Sequence, residues 1–391
     1  MSVPVVHLVV GTRPEAIKMA PLAIELRRAG LLRPVLVATG QHPAMVGQAL
    51  AAFGYVPDAV CRLERASGEQ AELVAQLAPK LDTVLARGSA AVVAQGDTTS
   101  ALVGGLVAFW RRLPLVHLEA GLRSGDLAAP FPEEANRRLL GVLADLHLAP
   151  TRRAVRALLA EGVPAERIML VGNTVVDAAL RVAAGARPPR DPRLVEVDRE
   201  VGAGRARLML VTAHRRESWG PPLDRILAAV DAIVRARGDV RCVLPAHPNP
   251  AVREQVERAL AGTPRTVVTD PLPYPELCYQ LARAALVLSD SGGIQEEAPS
   301  FGVPVLVLRE VTERMEAVQA GWARLVGSDT DRLVAEALGV LDGATRRPAA
   351  GNPFGDGRAG ARGAQAIAAL LGLAPAPELF EPDRPVMSTA S

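Results

Sequence analysis

The chain has 391 residues, room for about two domains with sizeable cores, and 49% of them are hydrophobic, which excludes a disordered protein. Its 44 basic and 42 acidic residues leave a formal charge of +2 without a basic block, and aromatics make up only 3%, so neither a nucleic-acid-coating surface nor a base-stacking platform is expected. Cys61, Cys242 and Cys278 are far apart and lack metal-ligand spacing, no apolar run approaches the roughly 20 residues that span a bilayer, and the N-terminus leads directly into a strand, so the expectation is a cytoplasmic protein with no metal and no membrane partner.

Residues 3–10 form a near-continuous β-branched run, the pattern of a strand buried on both faces. Gly11-Thr12-Arg13-Pro14-Glu15 follows, and a helix is predicted over 16–29, the opening of a βαβ unit. The turn is not GxGxxG, so the dinucleotide fingerprint is absent. It carries Arg13 and, five residues on, Lys18. Lys18 and Lys80 are the only lysines in a chain that otherwise uses arginine. The Arg13–Lys18 pair reads either as surface charge or as cations that neutralise a diphosphate, since ligands sit at strand carboxyl ends in open α/β sheets.

Further strands are predicted over 35–38, 91–94, 115–118, 146–149 and 168–171, with helices over 45–53 and 69–85 among them. The strand over 91–94 runs into Gln95-Gly96-Asp97, where Asp97 is either an N-cap or a site acid. Glu119 ends the strand over 115–118, and Glu133 opens a helix after Pro130-Phe131-Pro132. Three acids facing two cations at one rim are equipment for proton transfer on a sugar carbon, because close carboxylates push each other's pKa values apart.

The stretch 183–193, AAGARPPRDPR, reads as a linker between domains spanning 1–182 and 194–350. A C-terminal helix about 355–373 is expected to pack back on the first domain, and 374–391 to fray. In the second half, strands are predicted over 208–212, 240–244, 266–268, 286–288 and 305–308. His214 follows the first of these and is either a ligand contact or a satisfied core histidine; His247, between prolines, has no assigned role. Ser291, Gly292 and Gly293 fall at a helix start, where unpartnered amides and the dipole suit a phosphate. The competing reading is a capped helix, with Ser291 as N-cap and Glu296 and Glu297 in its first turn serving the dipole. Either glutamate could instead take ribose hydroxyls, and Arg314 is expected near the same phosphates. Two βα-alternating halves imply an α/β fold of two doubly wound, Rossmann-like domains facing a cleft.

Taken together, GTRPEAIKMAPL (11–22), TGQH (39–42), GDTTS (96–100), HLEAGLRSGD (117–126), FPEEANRR (131–138), GNTVVDA (172–178), AHRRESWG (213–220), DSGGIQEEAPSFGVPV (290–305), TERMEAV (312–318) and NPFGDG (352–357) resemble the non-hydrolysing UDP-N-acetylglucosamine 2-epimerase family, in its order along nearly the whole chain. The resemblance implies the GT-B architecture, a homodimer, and interconversion of UDP-GlcNAc and UDP-ManNAc without NAD, metal or other cofactor. It implies elimination of UDP to a 2-acetamidoglucal and re-addition. By the same resemblance Arg13, His214, Ser291, Gly292, Gly293, Glu297 and Arg314 contact UDP, and Lys18, Asp97, Glu119, Glu133 and Arg137 lie on the sugar side. Pro43 and Ala44 follow His42 where members with an allosteric UDP-GlcNAc site carry polar residues, and Leu272 stands where relatives can carry Gln. The alternatives are a hydrolysing epimerase that releases ManNAc and UDP, a GT-B glycosyltransferase, and a silent sugar-nucleotide-binding module.

Overall fold

The structure, a computed structural model, describes residues 3–382 apart from 87, 216, 217, 345–347, 349 and 350. It divides into two units, Met1–Ala178 with Phe354–Pro382, and Ala179–Pro353. The chain first leaves unit 1 within a helix, between Ala178 and Ala179, upstream of the proline-rich stretch 183–193.

Unit 1 alternates strand and helix: β1 (Val5–Val10), α1 (Arg13–Ala29), β2 (Arg33–Ala38), α2 (Pro43–Ala51), β3 (Ala59–Val60), α3 (Gln70–Leu85), β4 (Ser89–Gln95), α4 (Thr99–Trp110), β5 (Leu115–Leu118), α5 (Glu133–Leu143), β6 (Leu146–Ala149), α6 (Arg152–Ala160), β7 (Ile168–Leu170) and α7 (Thr174–Gly185). Its sheet has seven strands in the order β3-β2-β1-β4-β5-β6-β7, with parallel pairings throughout. Buried strands explain the unbroken apolar runs read in the sequence. Leu73, Leu77, Leu81 and Leu85 recur every fourth residue along α3 and pack with Val9, Val37 and Val92 in one core.

Unit 2 repeats the plan: α8 (Pro192–Gly202), β8 (Arg207–Thr212), α9 (Pro221–Ala236), β9 (Val240–Pro245), α10 (Pro250–Leu260), β10 (Thr266–Thr269), α11 (Tyr274–Arg283), β11 (Ala284–Ser289), α12 (Gly292–Glu297), β12 (Val305–Val307), α13 (Met315–Gln319), β13 (Ala323–Leu325) and α14 (Thr330–Leu341). Its six strands run β10-β9-β8-β11-β12-β13, again all parallel. Ile226, Val230 and Ile233 of α9 and Leu333 and Leu341 of α14 close one core with Met209, Val211, Leu286 and Leu288. Each sheet has one place where the strand order reverses, between β1 and β4 in unit 1 and between β8 and β11 in unit 2. Ligands of doubly wound sheets bind at that place, beyond the strand carboxyl ends.

The last helix, α15 (Ala359–Leu370), packs on α1 of unit 1. Gly360 allows the approach: a Cβ there would lie 3.0 Å from the Pro21 backbone. No side chain caps α15 from its own sequence; Asp177 of α7 does so, accepting from the Ala359 and Gly360 amides at 3.2 and 2.8 Å. The expectation of a frayed tail from 374 is corrected for its described part. The Phe380 amide donates to Leu170 O at 2.8 Å, and its ring is 3% exposed beneath the Arg362 guanidinium, so packing on β7 ties the segment down. Residues 383–391 lie outside the described residues.

Because Asp177 supplies the cap of α15, Asp177→Ala should lower unfolding free energy by about 1–2 kcal/mol. Urea unfolding read by circular dichroism measures this, and an unchanged midpoint would show that the cap contributes nothing.

Candidate functional site

In unit 1 the site residues gather around Glu119. This residue follows β5 with φ at 63°, a left-handed conformation unusual for a side chain of its size, and is 7% exposed. One carboxylate oxygen accepts from Lys18 Nζ and, at 3.1 Å, from Asn173 Nδ2; the other accepts from Gln95 Nε2. A buried carboxylate needs this many donors, since its charge is otherwise costly out of water. Lys18 lies more than one helical turn beyond Arg13 and is engaged by Glu119. Of the two cations read together in the sequence, Lys18 is the one that meets a carboxylate. Arg13, at the first position of α1, makes no ion pair among the described residues.

Asp97 sits in the turn after β4. Its carboxylate accepts from Arg137 Nε at 2.8 Å and Nη2 at 2.7 Å, and its carbonyl accepts from Asn136 Nδ2 at 2.8 Å. Asp97 is not the cap of α4; Thr98 is, through its hydroxyl and the Ala101 amide at 3.1 Å. Glu133 opens α5, half-buried, without a hydrogen bond or ion pair among the described residues. Its neighbour Glu134, fully buried, instead takes the Ser124 amide at 2.9 Å and Arg137 and Arg138 at 3.3 Å. Burial opposes its ionisation, but these donors hold its carboxyl below the usual range. Asp97 and Glu119 thus each meet a cation of their own, Arg137 and Lys18, and Glu133 meets none among the described residues.

His117 and His147, on neighbouring strands β5 and β6, are both buried. Burial pushes each imidazole down to about 4, so both are neutral at neutral pH. Neutral His117 donates from Nε2 to Gly96 O at 2.7 Å, which holds the turn that carries Asp97.

In unit 2 the organising group is Asp290, 0% exposed at the end of β11. It accepts from the His214 and Arg215 amides at 2.9 Å and the Ser218 hydroxyl at 3.0 Å, and His214 Nδ1 lies 3.3 Å from its second oxygen. The half-exposed His214 ring is thereby aimed from the loop between β8 and α9. Arg216 and Glu217 of that loop lie outside the described residues.

Ser291 stands at the N-cap position of α12, its side chain making no cap hydrogen bond, and Gly292 begins the helix. A Cβ on Gly292 would lie 3.0 Å from Arg314 Cζ, so glycine lets the guanidinium rest against the start of the helix. Gln295 braces this arrangement: it donates to Ser291 O at 3.1 Å and accepts from the Thr312 hydroxyl at 2.7 Å, and Thr312 in turn accepts the Arg314 amide at 3.1 Å. Because α12 has only six residues, Glu296 and Glu297 close it, and the reading that they serve its dipole from the first turn is overturned. Glu296 accepts from Arg314 Nε at 2.9 Å, and Glu297 from the Tyr274 hydroxyl at 3.2 Å. Glu134, Asn136, Asn173, Tyr274 and Asp290 were not singled out in the sequence; nothing short of the fold brings them to these partners.

The family model described as UDP-N-acetylglucosamine 2-epimerase matches residues 24–368. The UDP-N-acetylglucosamine 2-epimerase of Salmonella typhimurium is 42% identical over 365 residues, covering 92% of this chain and 97% of that protein. Among solved structures, an S. aureus protein in complex with UDP is similar at a TM-score of 0.84 and 37% identity, over 97% of this chain and 100% of its own. The UDP-GlcNAc 2-epimerase of Neisseria meningitidis, bound to UDP-GlcNAc, is similar at 0.81 and 34% identity, over 94% and 99%.

Histidines buried neutral bind protons in the unfolded chain near 6.5 and in the folded one only near 4. Their contribution to stability is complete above pH 6.5 and is lost as pH falls towards 4. Buried Glu15 and Asp177, pushed up to about 7 and about 6, act in the opposite sense over the same range, so the readout is the difference between proteins: from pH 7 to pH 5 the urea midpoint of wild type should fall relative to that of His147→Phe. Equal changes in both proteins would rule out a neutral buried His147.

Proposed function

Because the chain belongs to the UDP-N-acetylglucosamine 2-epimerase family, we propose that it interconverts UDP-GlcNAc and UDP-ManNAc by the non-hydrolysing route. The C2–H bond and the bond from C1 to the UDP oxygen break, leaving a 2-acetamidoglucal and UDP. Re-addition of UDP at C1 and of a proton on the opposite face of C2 gives the epimer. The C2 hydrogen is not acidic, so departure of UDP leads and the developing positive charge at C1 needs a fixed anion.

The observation that carries this reading is the pairing in unit 1: the Glu119 carboxylate among Lys18, Gln95 and Asn173, and the Asp97 carboxylate on Arg137. Carboxylates placed in this way can stabilise a cation and accept a proton. Asp97, Glu119 and Glu133 share the acid/base work. Lys18 and Arg137 orient the first two. UDP is the charge of Arg13, His214, Ser291, Gly292, Gly293 and Arg314, with Glu297 on the ribose hydroxyls. The α12 amides suit a phosphate, and Arg314 beside Gly292 adds the cation.

Proton NMR of the protein with UDP-GlcNAc in D2O, without added cofactor, tests the proposal. The expected product is UDP-ManNAc carrying deuterium at C2. Free ManNAc with UDP would mean a hydrolysing enzyme instead. Asp97→Asn and Glu119→Gln should each lower kcat by about 10²- to 10⁴-fold; full activity in both variants would refute the acid/base assignment.

The proposal extends to a cytoplasmic homodimer. All three cysteines are free and buried, as suits a reducing compartment, and no described helix is long and apolar enough to cross a membrane. The packed helices α4 and α5 expose Phe109, Trp110, Leu139 and Val142, at 57, 64, 51 and 82%. Large exposed apolar side chains of this kind mark contact surfaces. Light scattering should give twice the chain mass of 41.1 kDa, and Val142→Glu should shift it towards the single-chain value. A wild-type protein at single-chain mass would exclude the dimer.

A further inference from the structure

Glu15 has no role in the site just described, yet it is 1% exposed at the start of α1 and accepts from four groups. One oxygen takes the Gly11 amide at 3.0 Å, the Thr12 amide at 2.7 Å and the Thr12 hydroxyl at 2.8 Å. These bonds fasten the turn in which Thr12 precedes Arg13. The other oxygen takes the Thr98 hydroxyl at 2.7 Å, 83 residues away in sequence. Thr98 follows Asp97, and its hydroxyl simultaneously accepts the Ala101 amide at the head of α4. One carboxylate thus joins the turns after β1 and β4, the two strands that flank the reversal of strand order in unit 1.

Capping α1 would need only the first oxygen. The bond to Thr98 does nothing for that cap. It acts on the turn from Gly96 to Thr98, which two other buried side chains also hold, His117 at Gly96 O and Asn136 at Asp97 O. Three consecutive residues around Asp97 are therefore fastened from three different elements. Burial pushes the Glu15 carboxyl up to about 7 in spite of its donors, a cost that a surface cap would not carry.

We propose that Glu15, acting through the Thr98 hydroxyl, is a positioning residue that fixes the Asp97 turn against the Arg13 turn. The inference rests on the functional reading above, in which Asp97 handles a proton and Arg13 a phosphate. Glu15 touches no substrate in this account; it sets where Asp97 stands, and small errors in such placement cost rate.

The test compares wild type with Glu15→Gln, Thr98→Val and Thr98→Ser. Thr98→Val removes the hydroxyl at nearly constant volume; it keeps the cap of α1 and gives up that of α4, a loss that the thermal midpoint reads apart from kcat, so it stands even where Glu15→Gln folds poorly. The readouts are kcat and KM for epimerisation, UDP affinity by calorimetry, and the thermal midpoint. Thr98→Val and Glu15→Gln are expected to lower kcat by about 10- to 100-fold with KM and UDP affinity nearly unchanged, and Thr98→Ser to recover most of the rate. A purely structural role would lower the thermal midpoint while the folded fraction kept its kcat. That result, or equal losses in Thr98→Val and Thr98→Ser, would overturn the inference. Wild type without C2 exchange would sink the functional reading itself; wild-type exchange beside an unimpaired Thr98→Val would sink this inference alone.

Discussion

The buried charge of Glu119 is the constraint around which unit 1 is arranged. A carboxylate withdrawn from water is tolerable only with donors on both oxygens. The donors come from different parts of the sheet: Lys18 from α1, Gln95 from the end of β4, and Asn173 from the turn before α7. Each is usable because parallel strands present their carboxyl ends at one rim. Removing one donor would leave part of a buried charge uncompensated, a loss of about 3–5 kcal/mol where a full partner is deleted. The left-handed backbone at Glu119 is held in place by the same network.

Unit 2 solves a related problem with a different centre. Asp290 is just as buried, but its donors are mainly backbone amides and a hydroxyl of the loop after β8. It therefore fixes a loop and, through Nδ1, the imidazole of His214. In unit 1 Asp97 and Glu119 are met by side-chain cations, as the proposed proton chemistry needs. The elements of unit 2 leave amides at the start of a helix beside an arginine, which suits an anion.

Much of this was legible in the sequence. Buried parallel strands are apolar runs, so β1, β4, β5, β8 and β11 were readable, and with them the positions of Asp97, Glu119, His214 and Ser291 at strand ends. β3 and β13 were not, because β3 has only two residues and Arg324 interrupts β13, so neither reads as an apolar run. Glu296 and Glu297 were placed in the first turn of α12, but the helix has six residues and they close it. Pairings across the chain, Lys18 with Glu119 or Arg137 with Asp97, depend on strand order, which one sequence does not express. Thr12 and Glu15 do carry the spacing of a capping box, but the second bond of Glu15, to Thr98, belongs to the fold.

In the proposed reaction the C1–O bond breaks and re-forms while both pieces stay bound. The most direct measurement uses UDP-GlcNAc labelled with 18O in the bridge between C1 and phosphorus, recovered after partial reaction and read by 31P NMR. The account predicts label scrambled into the non-bridging positions of the recovered nucleotide sugars. Epimerised product with its label wholly in the bridge would mean that the bond never broke, and would contradict it.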